Sequence, residues 1–126
     1  MNSMTRHVIN ASAALAHLLN ETGGDRVAPH LKDGLISAVN LSEVVTRLIR
    51  AGADPMRADY LGCTLVDHVA DLAHRSGRLW PWTAPLGLSL ADRACLALAR
   101  RERLPVLTGD RAWSALDLGV DVVLIR

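Results

Sequence analysis

The order that most constrains this chain is a repeated one: a short apolar run, a small polar residue, then apolar residues at helical spacing. Arg6-His7-Val8-Ile9 leads through Asn10-Ala11-Ser12 into a helical pattern over residues 13–19. Leu35-Ile36-Ser37 leads to Asn40, after which Leu41, Val44, Val45, Leu48 and Ile49 mark one helix face that ends near Gly52 and Pro55. Pro105-Val106-Leu107 precedes a short helix over 111–116, and residues 120–125 read as a last strand. Strands that alternate with helices are joined by crossovers, which gives a parallel sheet with helices on both faces. The expected fold class is α/β: a single domain over residues 1–126 with a central, mainly parallel sheet of four to five strands. Residues 1–6 are expected to be an extension or disordered.

The remaining segments are less regular. Residues 25–31 read as a second helix, 55–61 as one or two turns, 62–68 as an irregular strand and 69–75 as a helix. Residues 78–85 hold Trp80, Pro81, Trp82 and Pro85, and the prolines predict a loop anchored by its tryptophans. Residues 89–103 form the strongest helical pattern, with Arg100, Arg101 and Arg103 at the end where the helix dipole favours cations.

Composition narrows the function. With 126 residues, half of them apolar, the chain can build one core. Its 14 basic and 13 acidic side chains leave a net charge of +1, so any nucleic-acid contact is local rather than a property of the whole surface. Two cysteines, Cys63 and Cys95, make no disulfide framework and point to a reduced, cytoplasmic protein. No apolar run reaches the roughly 18 residues of a membrane span. His7, His17, His30, His68 and His74 show no paired ligand spacing, and Gly23-Gly24 reads as a helix stop rather than a phosphate loop.

Four polar groups stand out because each follows an apolar run near a helix start: Asn10, Glu43, Asp92 and Asp110. Each has a local explanation. Asn40-x-x-Glu43 and Ser89-x-x-Asp92 have capping-box spacing, and Asn10 and Asp110 can cap the helices that follow them. Open α/β sheets, however, place ligand sites at the carboxyl ends of their strands, so the four would also converge. Three carboxylates in one crevice repel one another unless a cation neutralises them, and a hard oxygen set suits Mg²⁺ or Mn²⁺.

The residues around these four resemble the ordered motifs of PIN-domain ribonucleases. They are Val8-Ile9-Asn10-Ala11-Ser12-Ala13, Ser37-Ala38-Val39-Asn40-Leu41-Ser42-Glu43-Val44, Leu88-Ser89-Leu90-Ala91-Asp92-Arg93-Ala94 and Leu107-Thr108-Gly109-Asp110-Arg111-Ala112-Trp113. The resemblance runs from Val8 to Ile125 and is strongest to the VapC toxins of toxin–antitoxin pairs. It implies a Mg²⁺- or Mn²⁺-dependent endoribonuclease, with Glu43, Asp92 and Asp110 at the positions of family acids. Thr108 takes the place of a hydroxyl that orients the last acid, and Ser12 is a second polar candidate. It further implies a homodimer, a VapB-like antitoxin that inserts a segment near the crevice, and a folded RNA substrate, such as a tRNA, with an exposed single-stranded loop.

Asn10 departs from this pattern, which has Asp there. A carboxamide oxygen can ligate but brings no charge, so the chain is expected to be severely impaired as a nuclease. Two rivals follow from the same residue. One is a non-catalytic module that binds a partner protein or RNA; the other, a receiver or phosphatase domain, needs an Asp nucleophile where Asn10 stands.

Overall fold

The computed structural model describes residues 5–126; residues 1–4 of the expected extension lie outside the described residues. Arg6 is tied to the body through Nε, which donates to the Asp33 carbonyl at 2.9 Å. The elements are β1 (Val8–Ile9), α1 (Ala11–Leu18), α2 (Gly24–Leu31), β2 (Leu35–Ser37), α3 (Ala38–Arg50), β3 (Thr64–Val66), α4 (Ala70–Arg78), α5 (Trp80–Thr83), α6 (Leu90–Glu102), β4 (Val106–Thr108) and β5 (Val122–Leu124). Turns of 3₁₀ helix cover Pro55–Tyr60, Ala84–Leu86 and Arg111–Ala115.

The five strands run in the order β3-β2-β1-β4-β5, and every neighbouring pair is parallel. Val8 aligns with both Leu35 and Val106, and Ile9 with Leu107. From β1 the chain winds outward through β2 and β3, and β4 and β5 lie on the other side of β1. The β1/β4 boundary is therefore the switch point, where such sheets open a crevice beyond the strand ends.

Alternation along the strands builds two cores. Ile9, Ile36 and Leu107 face α1, α2 and α3 with Leu15, Val27, Val44 and Leu48. Val8, Leu35 and Val106 face α4 and α6 with Leu72, Leu96, Leu98 and the fully buried Trp113. This is the layered α/β sheet that the sequence predicts.

Three local expectations change. The helix after β2 starts at Ala38, because Ser37 Oγ accepts from Val39 N at 3.2 Å; Asn40 is no cap but a fully buried residue inside the helix. Residues 80–86 are helical rather than an irregular loop. Pro81 sits in the first turn of α5, where a missing N–H costs nothing, and Trp80 and Trp82 are exposed rather than anchored. His7 and His30, unrelated in sequence, pack with ring centroids 4.4 Å apart and their planes tilted by 57°.

Candidate active site

The N-cap position of α1 falls on Asn10, yet its side chain caps nothing. Its Oδ1 instead accepts from Ser12 Oγ at 2.7 Å and from Thr108 Oγ1 at 3.0 Å. The two hydroxyls in turn accept from the next loop: Gly109 N donates to Ser12 Oγ at 2.8 Å, and Asp110 N to Thr108 Oγ1 at 3.1 Å. The carboxyl ends of β1 and β4 are thus sewn together through one carboxamide oxygen. The opposite end of that group, Asn10 Nδ2, is buried and makes no hydrogen bond to nitrogen or oxygen among the described residues.

Glu43 and Asp92 reach the same region from α3 and α6. Burial raises the Glu43 carboxyl above its ordinary range and the negative charge of Asp92 raises it further, while Arg47 and the Asn40 amide act against both. Among the described residues Glu43 Oε1 is buried without a hydrogen-bond partner, and Arg47 Nη1 lies 4.0 Å from Oε2. The same groups act on the fully buried Cys95 thiol. Burial pushes it far up, the Asn10 amide partly offsets this as a hydrogen-bond partner, and Asp92 and Glu43 add to the rise. Asn10, Glu43 and Asp92 thus all act on the buried Cys95 thiol.

Capping and convergence prove compatible for Asp92. Its Oδ2 accepts from Ser89 N at 3.0 Å while Ser89 Oγ accepts from Asp92 N at 3.2 Å, a complete capping box that fixes the acid at the mouth of α6. Asp110 differs: its Oδ1 accepts from Ala112 N at 3.0 Å and caps the 3₁₀ turn, so its backbone belongs to the site while its carboxylate holds the loop. Among the described residues no three His, Cys, Asp or Glu side chains are close enough to hold one ion. The expected trio of acids does not close on one point among the described residues: Asp92 and Asp110 each give one carboxylate oxygen to a cap, and the negative charge of Asp92 acts on Glu43.

Asn40 was missed as a site residue because its spacing to Glu43 imitates a cap. Its Nδ2 donates to the Ala91 carbonyl at 3.0 Å, joining α3 to the first turn of α6, and the same side chain faces Glu43. Arg126 was missed too. It follows β5, and its guanidinium rests against Gly109, where a Cβ would come within 2.8 Å of Nη2.

The PIN domain family model matches residues 8–118. The chain belongs to the PIN-domain family. No curated protein matches it. Among solved structures, this PIN domain is similar to a toxin–antitoxin complex from Klebsiella pneumoniae, at 19% identity and TM-score 0.72, covering 95% of this chain and 98% of that one. It is similar to DNA-bound VapBC from Salmonella typhimurium at 17% identity and TM-score 0.73, covering 98% and 100%. VapC20 from Mycobacterium tuberculosis, described as a sarcin-ricin loop cleaving toxin, matches at 19% identity and TM-score 0.67, covering 86% and 92%. At these identities the likeness is one of fold.

A cation suits part of this PIN domain's site. Glu43 Oε1 is a buried acceptor without a donor, and the Glu43–Asp92 pair has more negative charge than Arg47 offsets at 4.0 Å. The Asn10 amide does not suit it: Oδ1 is taken by two hydroxyls, and Nδ2 is a donor turned inward.

Proposed function

We propose that this PIN domain is the toxin of a type II toxin–antitoxin pair, built as a metal-dependent endoribonuclease and impaired by Asn10. The observation that carries the reading is the buried Glu43 Oε1, without a partner among the described residues, on the helix that follows β2 of a parallel sheet and under the negative charge of Asp92. Glu43 and Asp92 would hold Mg²⁺ or Mn²⁺, with residue 10 completing the set and Asp110 joining once its carboxylate leaves the cap. The metal supplies Lewis-acid stabilisation of charge on the phosphodiester.

The protein's own groups supply position. Ser12 and Thr108 fix the orientation of residue 10, Asn40 fixes Glu43 against the Ala91 carbonyl, and the Ser89 box fixes Asp92. With Asp at position 10, the two hydroxyls keep one oxygen and the second replaces Nδ2 as an anionic acceptor facing the pair. The test is cleavage of a structured RNA, such as a tRNA, by the Asn10→Asp protein with Mg²⁺ and with a chelator. Metal-dependent cleavage supports the reading; a substituted protein that binds Mg²⁺ and leaves RNA intact contradicts it.

The proposed partners are a VapB-like antitoxin and a second copy of this chain. An antitoxin Arg would complement the Glu43–Asp92 pair directly. Light scattering on the purified chain tests the homodimer, and a monomer at micromolar concentration argues against it. The second reading, a non-catalytic module that binds protein or RNA, is favoured by the inward Asn10 donor. RNA binding without cleavage by the Asn10→Asp protein selects it.

A further inference from the structure

The exposed side of α4 and α5 carries an alternation of arginine and tryptophan that the acidic crevice does not use. Leu72, Ser76, Leu79 and Thr83 are all buried. Their spacing of four, three and four residues keeps one helical phase through the α4–α5 junction, where Thr83 N donates to the Leu79 carbonyl at 3.1 Å. That phase sorts the outer residues into two stripes on opposite flanks of the buried one: Asp71, Arg75, Arg78 and Trp82 on one flank, Ala73, Gly77 and Trp80 on the other. Trp80 is 59% exposed and Trp82 58%, whereas Trp113 is fully buried.

Arg100 of α6 joins the first stripe, lining with Arg75, Arg78 and Ala97 a cavity of about 250 Å³. A neighbouring cavity of about 400 Å³ runs along Ala73, His74, Gly77 and Arg78. Arg75 is paired with Asp71 at 2.9 Å, while Arg78 and Arg100 make no ion pair among the described residues. The chain's net charge is only +1, so this face gathers positive charge that the whole lacks.

We propose that the flank formed by Arg75, Arg78, Trp82 and Arg100 binds single-stranded RNA, with a base stacked on Trp82 and backbone phosphates held by Arg78 and Arg100. A flat aromatic face beside guanidinium forks matches the two repeating parts of an unpaired strand, its bases and its phosphates. The proposal rests on the ribonuclease reading for its substrate, and it places a contact surface outside the crevice.

Tryptophan fluorescence is the direct readout, because exposed Trp82 reports stacking while Trp80 on the other flank and buried Trp113 supply a constant background. Titration of the chain with a ten-nucleotide oligouridylate should quench emission, and a duplex RNA of equal length should quench far less. Trp82→Ala should bind the oligonucleotide at least about tenfold more weakly by anisotropy, while Trp80→Ala should leave its affinity unchanged. Arg78→Ala/Arg100→Ala should lower the slope of log affinity against log salt by about 1.4, two phosphates at about 0.7 each. Arg26→Ala, on α2 across the sheet, should change nothing.

Unchanged affinity of Trp82→Ala and of Arg78→Ala/Arg100→Ala, or unquenched emission of the unsubstituted chain, overturns the proposal. So does loss of a dimer with RNA affinity intact, which would assign the face to a second copy. Cleavage by the Asn10→Asp protein that is indifferent to the Trp82, Arg78 and Arg100 substitutions removes this surface and leaves the nuclease reading in place. Quenching without cleavage does the reverse.

Discussion

The Ser12 and Thr108 hydroxyls lie 3.1 Å apart although 96 residues separate them in the chain. Both turn their protons to Asn10 Oδ1 and both accept a backbone N–H from the loop after β4. Each hydroxyl has one proton and spends it on residue 10, so the pair reads the acceptor at that position and holds the Gly109-Asp110 backbone by the same atoms. The arrangement serves an Asp as well as an Asn.

Thr108→Val tests this junction. The substitution keeps the shape, removes a donor to Asn10 Oδ1 and strands the Asp110 N–H in a part-buried place. A stranded group costs about 1–3 kcal/mol. Urea unfolding should show a loss of that size with an unchanged m-value.

Asn40→Leu should destabilise the protein by a similar amount, about 1–3 kcal/mol, because the Ala91 carbonyl loses its donor. The same protein should bind Mn²⁺ more weakly in the Asn10→Asp background, since Glu43 loses its brace. Unfolding and metal titration on one sample separate the two effects.

Trp113→Ala should cost about 3–5 kcal/mol, as expected for a large aromatic removed from a packed core. Tyr60→Ala, at a largely exposed side chain, should stay within about 0.5 kcal/mol. Thermal melts of the two proteins check the contrast.

Acid should weaken the fold through His7. Burial first, and then the charge of His30, hold His7 below its ordinary 6.5, while the Thr5 backbone acts the other way. The native state therefore keeps His7 neutral where the unfolded chain protonates it. The stability contribution is full above 6.5 and is lost as pH falls from 6.5 through the lowered native value. His7→Leu should flatten stability against pH in that window, as read from unfolding midpoints.

The layered sheet was legible because Val8 and Ile9, Leu35 and Ile36, and Val106 and Leu107 are continuous apolar pairs, the mark of strands buried on both faces. The capping box at Ser89 and Asp92 was legible for the same reason of short range: its atoms lie three residues apart. Asn40 misled because Asn-x-x-Glu spacing is the same whether the residue begins a helix or sits inside one, and only the Ser37 cap decides. Residues 80–86 misled because proline excludes helix interiors but suits first turns. The site was legible as a set of residues and not as a shape. Nothing local to Asp110 says whether its carboxylate faces a metal or the Ala112 N–H, a choice between two bonds of similar strength.

Calorimetric titration with Mn²⁺, of this chain and of its Asn10→Asp counterpart, tests the central claim most directly. A site formed by Glu43, Asp92 and residue 10 predicts at least about tenfold tighter binding with Asp at position 10, and loss of that gain on Glu43→Gln or Asp92→Asn. Equal affinity in both proteins, or a gain that survives both substitutions, would contradict it.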